Sequence, residues 1–279
     1  MNIGLLLTYN ETDIIDEMMQ SNRHAVDAVF VLDGSTDDTP KKLVQYPEVH
    51  TILRDADVLE TGEKLRDYHR QVLLEAARAT FGTGHWYTLM HGDEIFFDNP
   101  KTIIEQADKQ GAKRVNWAAM QFFLHTSDKT KYEQADITAV NETKVNETKV
   151  NKTEFNKDVQ TRVRWYSPFW LEIRQFKDDP GVHYPVGQHG KVIPAGVGWK
   201  PYNRVPIFKH YPYRSPQQMM DRLGASSRGF SGTPAHTAIF RDRYAPEYRQ
   251  ACYFEDDFGH FENMHLLTAL WRWRRLVTR

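Results

Sequence analysis

The chain has 279 residues, 40% apolar and 26% charged, the make-up of a globular protein large enough to bury a real core. Its formal charge of −1 gives no global basic field, so nucleic acid is not the expected partner. A single cysteine, Cys252, excludes an internal disulfide framework and suits a reducing compartment. Met1-Asn2-Ile3-Gly4 leads into a strand-like run without a basic leader, and no apolar run approaches the about 18 residues that span a bilayer. A cytoplasmic location is expected.

The first third alternates strand and helix. Ile3 to Tyr9 is a continuous apolar run, as in a parallel strand covered on both faces. Asn10 to Asp13 offers capping side chains for a helix carrying Ile14, Ile15, Met18 and Met19. Ala28 to Leu32 is a second buried strand, ending in Asp33-Gly34-Ser35-Thr36-Asp37-Asp38-Thr39, and a helix begins near Pro40. Val49 to Leu53 is a third, shorter strand. Leu65, Tyr68, Val72, Leu73 and Ala76 follow helical spacing from about Glu63 to Thr80. Trp86 to Met90 is the fourth strand, and it delivers His91-Gly92-Asp93-Glu94 at its carboxyl end.

Alternating strands and helices predict a mainly parallel central sheet flanked by helices, with right-handed crossovers. Ligands of such sheets bind beyond the carboxyl ends of the strands. Thr8 to Glu11, Asp33 to Ser35 and His91 to Glu94 therefore share one rim. Each cluster alone also fits helix capping or a solvated turn, and capping is preferred for Asp37 and Asp38. Buried charge at His91-Gly92-Asp93-Glu94 needs a partner, and a divalent cation bridging to phosphate is the natural one.

In this order and spacing the three clusters resemble the signature of family-2-type glycosyltransferases with the A-type, nucleotide-diphospho-sugar transferase fold. The likeness runs from about Ile3 to Pro100 and more loosely to about Pro216. It implies a single α/β domain that moves a sugar from a nucleotide-diphosphate donor to a hydroxyl of a glycan or lipid-linked acceptor, as in polysaccharide biosynthesis. By that resemblance Thr8, Tyr9, Asn10, Glu11, Asp33, Gly34 and Ser35 hold base and ribose. Asp93 ligates a Mn2+ or Mg2+ ion, with Gly92 and Glu94 beside the donor. The pattern departs at its first carboxylate, where this chain has His91. Imidazole can ligate manganese and suits magnesium poorly, so Mn2+ is the preferred expectation.

Arg66 and Arg70 lie on an exposed basic helical face or reach the nucleotide. Beyond Asp98-Asn99-Pro100 come a helix to about Gln110 and a strand from Arg114 to Leu124. Val140-Asn141-Glu142-Thr143-Lys144 then recurs as Val145 to Lys149 and loosely as Val150 to Glu154, a polar loop or ribbon to which no function is assigned. Val163 to Tyr166 and Phe169 to Phe176 return to core character. Trp170, Glu172 and Arg174 share one side, fitting either an exposed ion pair or sugar recognition. The stretch Pro206 to Pro216 resembles a late His-Tyr-x-x-Arg-Ser region of related transferases. It makes His210 a candidate remote metal ligand, weighed against a structural histidine, and Lys209 and Arg214 candidate partners of the diphosphate.

Inverting transfer is expected over retaining, and it needs a carboxylate base. Glu172 is the first choice, with Asp256 and Asp257 in reserve and Asp178 or Asp179 as further options. The expected divisions are 1–125 for nucleotide-sugar binding, 126–160 for the repeat insert, 161–216 for the acceptor side and 217–279 for a C-terminal helical extension. That extension, basic and aromatic from Met264 to Arg279, either docks on the domain or makes peripheral contact with an anionic membrane. A nucleotidyltransferase would need a glycine-rich, lysine-bearing loop after the first strand, which Thr8-Tyr9-Asn10-Glu11 is not. A non-catalytic or degenerate nucleotide-sugar- or carbohydrate-binding domain is the alternative reading.

Overall fold

The structure, a computed structural model, describes residues 1–55, 63–123, 158–185, 194–215 and 218, with the side chains of 63–66, 123 and 167–170 left aside. The repeat insert, His189, Asp256, Asp257 and the C-terminal extension beyond residue 218 fall outside the described residues.

The elements follow as β1 (Asn2–Thr8), α1 (Ile15–Asn22), β2 (Ala28–Asp33), α2 (Thr39–Leu43), β3 (Val49–Arg54), α3 (Glu63–Phe81) and β4 (Trp86–His91). Then come β5 (Glu94–Phe96), α4 (Pro100–Lys109), β6 (Arg114–Phe123), α5 (Val159–Arg162), β7 (Trp165–Lys177) and β8 (Ile207–Tyr213). The strands form one eight-stranded sheet in the order β3-β2-β1-β4-β7-β6-β8-β5. β1 to β4 run parallel, as alternating strand and helix dictates.

Alternation along β1 decides which helix packs where. Leu6 faces Ile14, Ile15, Met18 and Met19 of the α1 side, while Ile3 and Leu5 face Leu73, Leu74 and Ala77 of α3. A third cluster lays Ile104 and Ala107 of α4 against Val115, Trp117 and Phe208. The sheet is thus covered on both faces, which is why its strands read as unbroken apolar runs.

Four local expectations change. The α1 N-terminus has no side-chain cap; the carbonyl of Glu11 accepts from the N–H groups of Ile14 (3.0 Å) and Ile15 (2.8 Å). The two core segments after residue 163 form one strand, β7, which runs antiparallel to β4 and β6. The sheet is therefore mixed beyond β4. The residues after Asp93 form a short strand, β5, pairing antiparallel with β8 so that Glu94 lies opposite His210. Asn22 holds β5 from its other edge: its amide donates to the Glu94 carbonyl (2.9 Å) and its side-chain oxygen accepts from Phe96 N–H (3.0 Å). No helix among the described residues is long and apolar enough to cross a membrane.

Candidate active site

The β1–β2 rim is a hydrogen-bonded lattice between two turns. Asn10 adopts φ 51°, a left-handed conformation that asparagine tolerates better than most residues. Its N–H donates to Ser35 Oγ (2.8 Å), and its side-chain oxygen accepts from Thr36 N–H (2.8 Å). Glu11 N–H donates to Thr39 Oγ1 (2.9 Å). Asp37 takes the N–H groups of Thr39 (2.9 Å) and Thr12 (3.2 Å). Asp38, at the N-cap position of α2, makes no side-chain cap bond and accepts from Lys41 (2.6 Å) instead of taking the expected capping role. Gly34 N–H closes back on the Thr8 carbonyl (3.2 Å). Tyr9 stands half-buried beside this lattice.

Asp33 is fully buried at the end of β2. Ser35 donates its hydroxyl to one carboxylate oxygen (2.5 Å), and Arg54 pairs with the other while also donating to the Ser35 carbonyl (2.6 Å). Burial raises the Asp33 pKa, with Ser35 and Arg54 pulling against it. The Arg54 side chain is about half exposed, so among the described residues it is the part of this network that reaches the surface.

Gly92 joins the two halves of the rim. A Cβ on it would lie 2.7 Å from Glu11 Cγ and 2.8 Å from Thr8 Oγ1, closer than side chains tolerate. Glu11 is fixed there by Arg214, whose buried guanidinium pairs with Glu11 and with Asp13 (2.6 and 2.7 Å) and donates to the Tyr211 carbonyl (3.2 Å). Burial works against the charged form of Arg214, but Glu11 and Asp13 outweigh it and raise the pKa. Expected beside the diphosphate, Arg214 instead spends its charge tying β8 to the β1–α1 turn.

The β4 exit holds the strongest candidate. One potential ligand atom from each of His91, Asp93 and Glu94 lies within 4.8 Å of the others. His210 Nε2 stands 3.4 Å from Asp93 Oδ2, brought there by the β5–β8 pairing. His91 Nδ1 is 3.1 Å from Glu94 Oε1, and Arg174 pairs with the same oxygen and with Glu172. Arg174 lies over the Phe208 ring at 4.6 Å and is 1% exposed. Burial would raise the Glu94 pKa, but Arg174 and His91 bring it down to about 2. Burial, opposed by Glu94 and aided by Arg174 and Arg70, lowers the His91 pKa and favours the neutral, ligating imidazole.

The cluster fits a divalent cation. It brings carboxylate and imidazole donors together, and Glu94 Oε2 is buried with no hydrogen-bond donor. A buried carboxylate oxygen without a donor is costly unless positive charge lies near.

Arg70 is buried, 3.9 Å from Asp67, and close enough for its charge to act on His91 and Tyr184, so it belongs to the site's surroundings rather than to an exposed face. Arg66 lies on α3, its side chain outside the described part. Lys209 does not join His210. Neighbouring strand residues point to opposite faces, and Lys209 reaches Gln160 near Glu17, where burial lowers its pKa to about 8. Glu172 is brought to the cluster through Arg174. Asp178 and Asp179 are not: β7 runs antiparallel to β4, so they follow Lys177 at the Trp86 end, where Arg78 holds Asp178 and Lys113 meets Asp179 (3.2 Å). Arg54, Asn22 and the buried position of Arg174 were not anticipated. Glu172 two residues before Arg174, on the same face of a core strand, was the one available signal.

No family model matches the chain, and no curated protein does. Solved structures that match in part include one described as a glucose-1-phosphate thymidylyltransferase from Bacillus anthracis in complex with sucrose. It is 13% identical with a TM-score of 0.28, over 45% of this chain and 57% of that chain. The match thus spans little more than half the length of that protein.

Proposed function

We propose that the chain is a metal-assisted glycosyltransferase that moves a sugar from a nucleoside-diphosphate donor to a hydroxyl of a glycan or lipid-linked acceptor, with inversion. One observation carries this reading. A buried carboxylate, Asp33, and a His–Asp–Glu–His cluster whose carboxylates are buried and whose His91 is partly exposed stand at the exits of β2 and β4, on either side of β1 and at the carboxyl ends of the parallel strands.

Asp33, Ser35 and the Asn10 turn recognise base and ribose, with Arg54 as the exposed guanidinium over Asp33. Asp93, His91 and His210 hold a divalent ion, Mn2+ by preference, whose charge offsets that developing on the leaving diphosphate. Arg70 adds fixed positive charge close to that group. Glu172 accepts the proton of the acceptor hydroxyl as its oxygen bonds to the anomeric carbon. The bond from that carbon to the diphosphate breaks, and its electron pair leaves with the nucleoside diphosphate. Arg174 fixes where Glu172 stands.

A thermal-shift panel of UDP-, GDP- and TDP-sugars with Mn2+ or Mg2+, followed by a donor-hydrolysis assay, tests this. At least one donor should raise the melting temperature with metal and be hydrolysed slowly without acceptor. If none of the donors binds or turns over, the proposal fails. The engagement of Glu172 by Arg174 favours, as a second reading, a domain that binds nucleotide sugars without transfer. A thermal shift without turnover, even with a panel of acceptors, would select it.

A further inference from the structure

We propose that the loop carrying Trp199 is a surface site for an acidic polysaccharide, with a sugar ring lying on the indole and its carboxylate meeting Arg114 and Lys200. The inference goes beyond the reading above, because binding at this loop needs neither nucleotide nor transfer.

The ring is 85% exposed, whereas Trp86 and Trp117 are buried in the core. Among the described residues the other exposed large hydrophobics are Met1, Val44 and Tyr68, and each is less exposed than Trp199. The loop that presents it is held on both sides. Before it, Ala195 and His183 exchange backbone hydrogen bonds (2.7 and 3.1 Å). After it, Lys113 N–H donates to the Lys200 carbonyl (2.8 Å) and Tyr202 N–H to the Arg114 carbonyl (2.8 Å). The Lys200 amine reaches the Gln110 carbonyl just beyond α4. Gly198 lies so close to the start of β6 that a Cβ there would stand 2.7 Å from Lys113 Cγ. A ring fixed in this way has little conformational freedom left to lose when a ligand covers it.

The charge around the ring names the ligand. Arg114 Cζ lies over the indole, 5.5 Å from its centroid. Residues 194–205 include Lys200 and Arg204, both exposed, and no acidic residue. The nearby carboxylates are already engaged, Asp179 by Lys113 (3.2 Å) and Asp108 by Lys177 (2.7 Å). An aromatic face stacks on the C–H face of a sugar, and a guanidinium binds a carboxylate through two parallel hydrogen bonds. A sugar that carries a carboxylate uses both.

The register places this loop at the other end of the sheet from the His91 cluster. Arg114 pairs with Phe176, and Phe176 pairs with Tyr87, four residues before His91 on β4. At about 3.3 Å per residue the two places lie more than about 10 Å apart along the strands. A sugar on Trp199 is therefore not a reacting one, and only a chain long enough to reach the rim is bound at two points.

The test is affinity electrophoresis of the full chain in native gels containing polygalacturonate, alginate or dextran. EDTA keeps metal ions out of the comparison, and circular dichroism confirms folding. Wild type should be retarded by a polyuronate and not by dextran. Trp199→Ala should weaken that binding roughly tenfold, the scale of one aromatic stacking contact, and Trp199→Phe should keep more of it. Arg114→Gln should weaken it severalfold and make it less sensitive to salt.

No retardation by either polyuronate overturns the proposal, as does equal retardation of wild type and Trp199→Ala. Dextran binding as tight as polyuronate binding overturns it too. Sedimentation with vesicles of equal parts phosphatidylcholine and phosphatidylglycerol supplies the competing outcome. If Trp199→Ala loses vesicle binding and keeps polyuronate binding, the loop is a membrane contact and the proposal falls. The donor panel reads other residues, so its failure leaves this loop standing, and failure here leaves the transferase reading to its own assay.

Discussion

The two halves of the rim are built on opposite plans. In the β1–β2 half, turn side chains meet backbone or side-chain partners between 2.5 and 3.2 Å: Asn10 with Ser35 and Thr36, Thr39 with Glu11, and Asp37 with Thr12. In the β4–β5–β8 half, four titratable side chains crowd together and buried polar atoms of Glu94 and Arg174 lack hydrogen-bond partners. Thr8 Oγ1 and Thr12 Oγ1 lack hydrogen-bond partners in the β1–β2 half as well. Its turn backbone and the Asn10, Ser35, Asp37 and Thr39 side chains are paired, however, and such a lattice holds a shape whether or not ligand is bound. An unsatisfied buried cluster is costly on its own, and natural proteins keep such clusters where a ligand or ion completes them. The first half is thus the more fully paired and the second the more highly charged, with Gly92 as the seam.

Substitutions can separate these plans. The largest effect should come from Asp93→Ala. Donor hydrolysis should fall by more than about a hundredfold, since a direct ligand costs at least what an outer-shell partner does. Far-UV circular dichroism should stay unchanged, because the substitution leaves the β5–β8 ladder in place; a protein that loses both together would show that the cluster is structural. Gly92→Ala strikes the seam. Its new methyl meets Glu11 and Thr8, and overpacking of this kind costs roughly 1–3 kcal/mol. Chemical denaturation should report that loss, and an unperturbed midpoint would mean that the two turns separate easily. Ser35→Ala is the mildest. It removes one donor to Asp33 and one acceptor for Asn10, and should lower stability by about 1 kcal/mol. A much larger loss would show that the lattice is cooperative rather than a sum of single bonds.

Much of this was legible in the sequence, and what was not shares one cause. β1 and β2 announce themselves as apolar runs, α3 by helical spacing, and the rim by polar residues at successive strand exits. These are local signals. β5 has only three residues, too few to show a period, and its partner arrives far later in the chain. The resemblance singled out His210 as a partner for Asp93, but only that pairing shows that Lys209, its neighbour, points to the other face. The same gap misplaced Asp178: only the antiparallel course of β7 shows it to lie at the opposite end of the sheet. Arg174 was readable as a member of an ion pair but not as a buried one, because burial depends on Phe208, which comes from another strand. Arg214 was expected at the ligand because Glu11 and Asp13, two hundred positions earlier, gave no hint of claiming it.

The pairing of β5 with β8 also fixes when the site can exist during folding. β1, β2 and β3 are neighbours in sequence and their contacts close short loops, and β4 joins β1 before any of the later strands has been made. His210 reaches Asp93 only after β6 and β7 are in place and β8 has docked between β6 and β5. A chain still leaving the ribosome thus has its β1–β2 turns before Asp93 and His210 can meet. The meeting of Asp93 and His210 becomes a late event that reports a completed sheet.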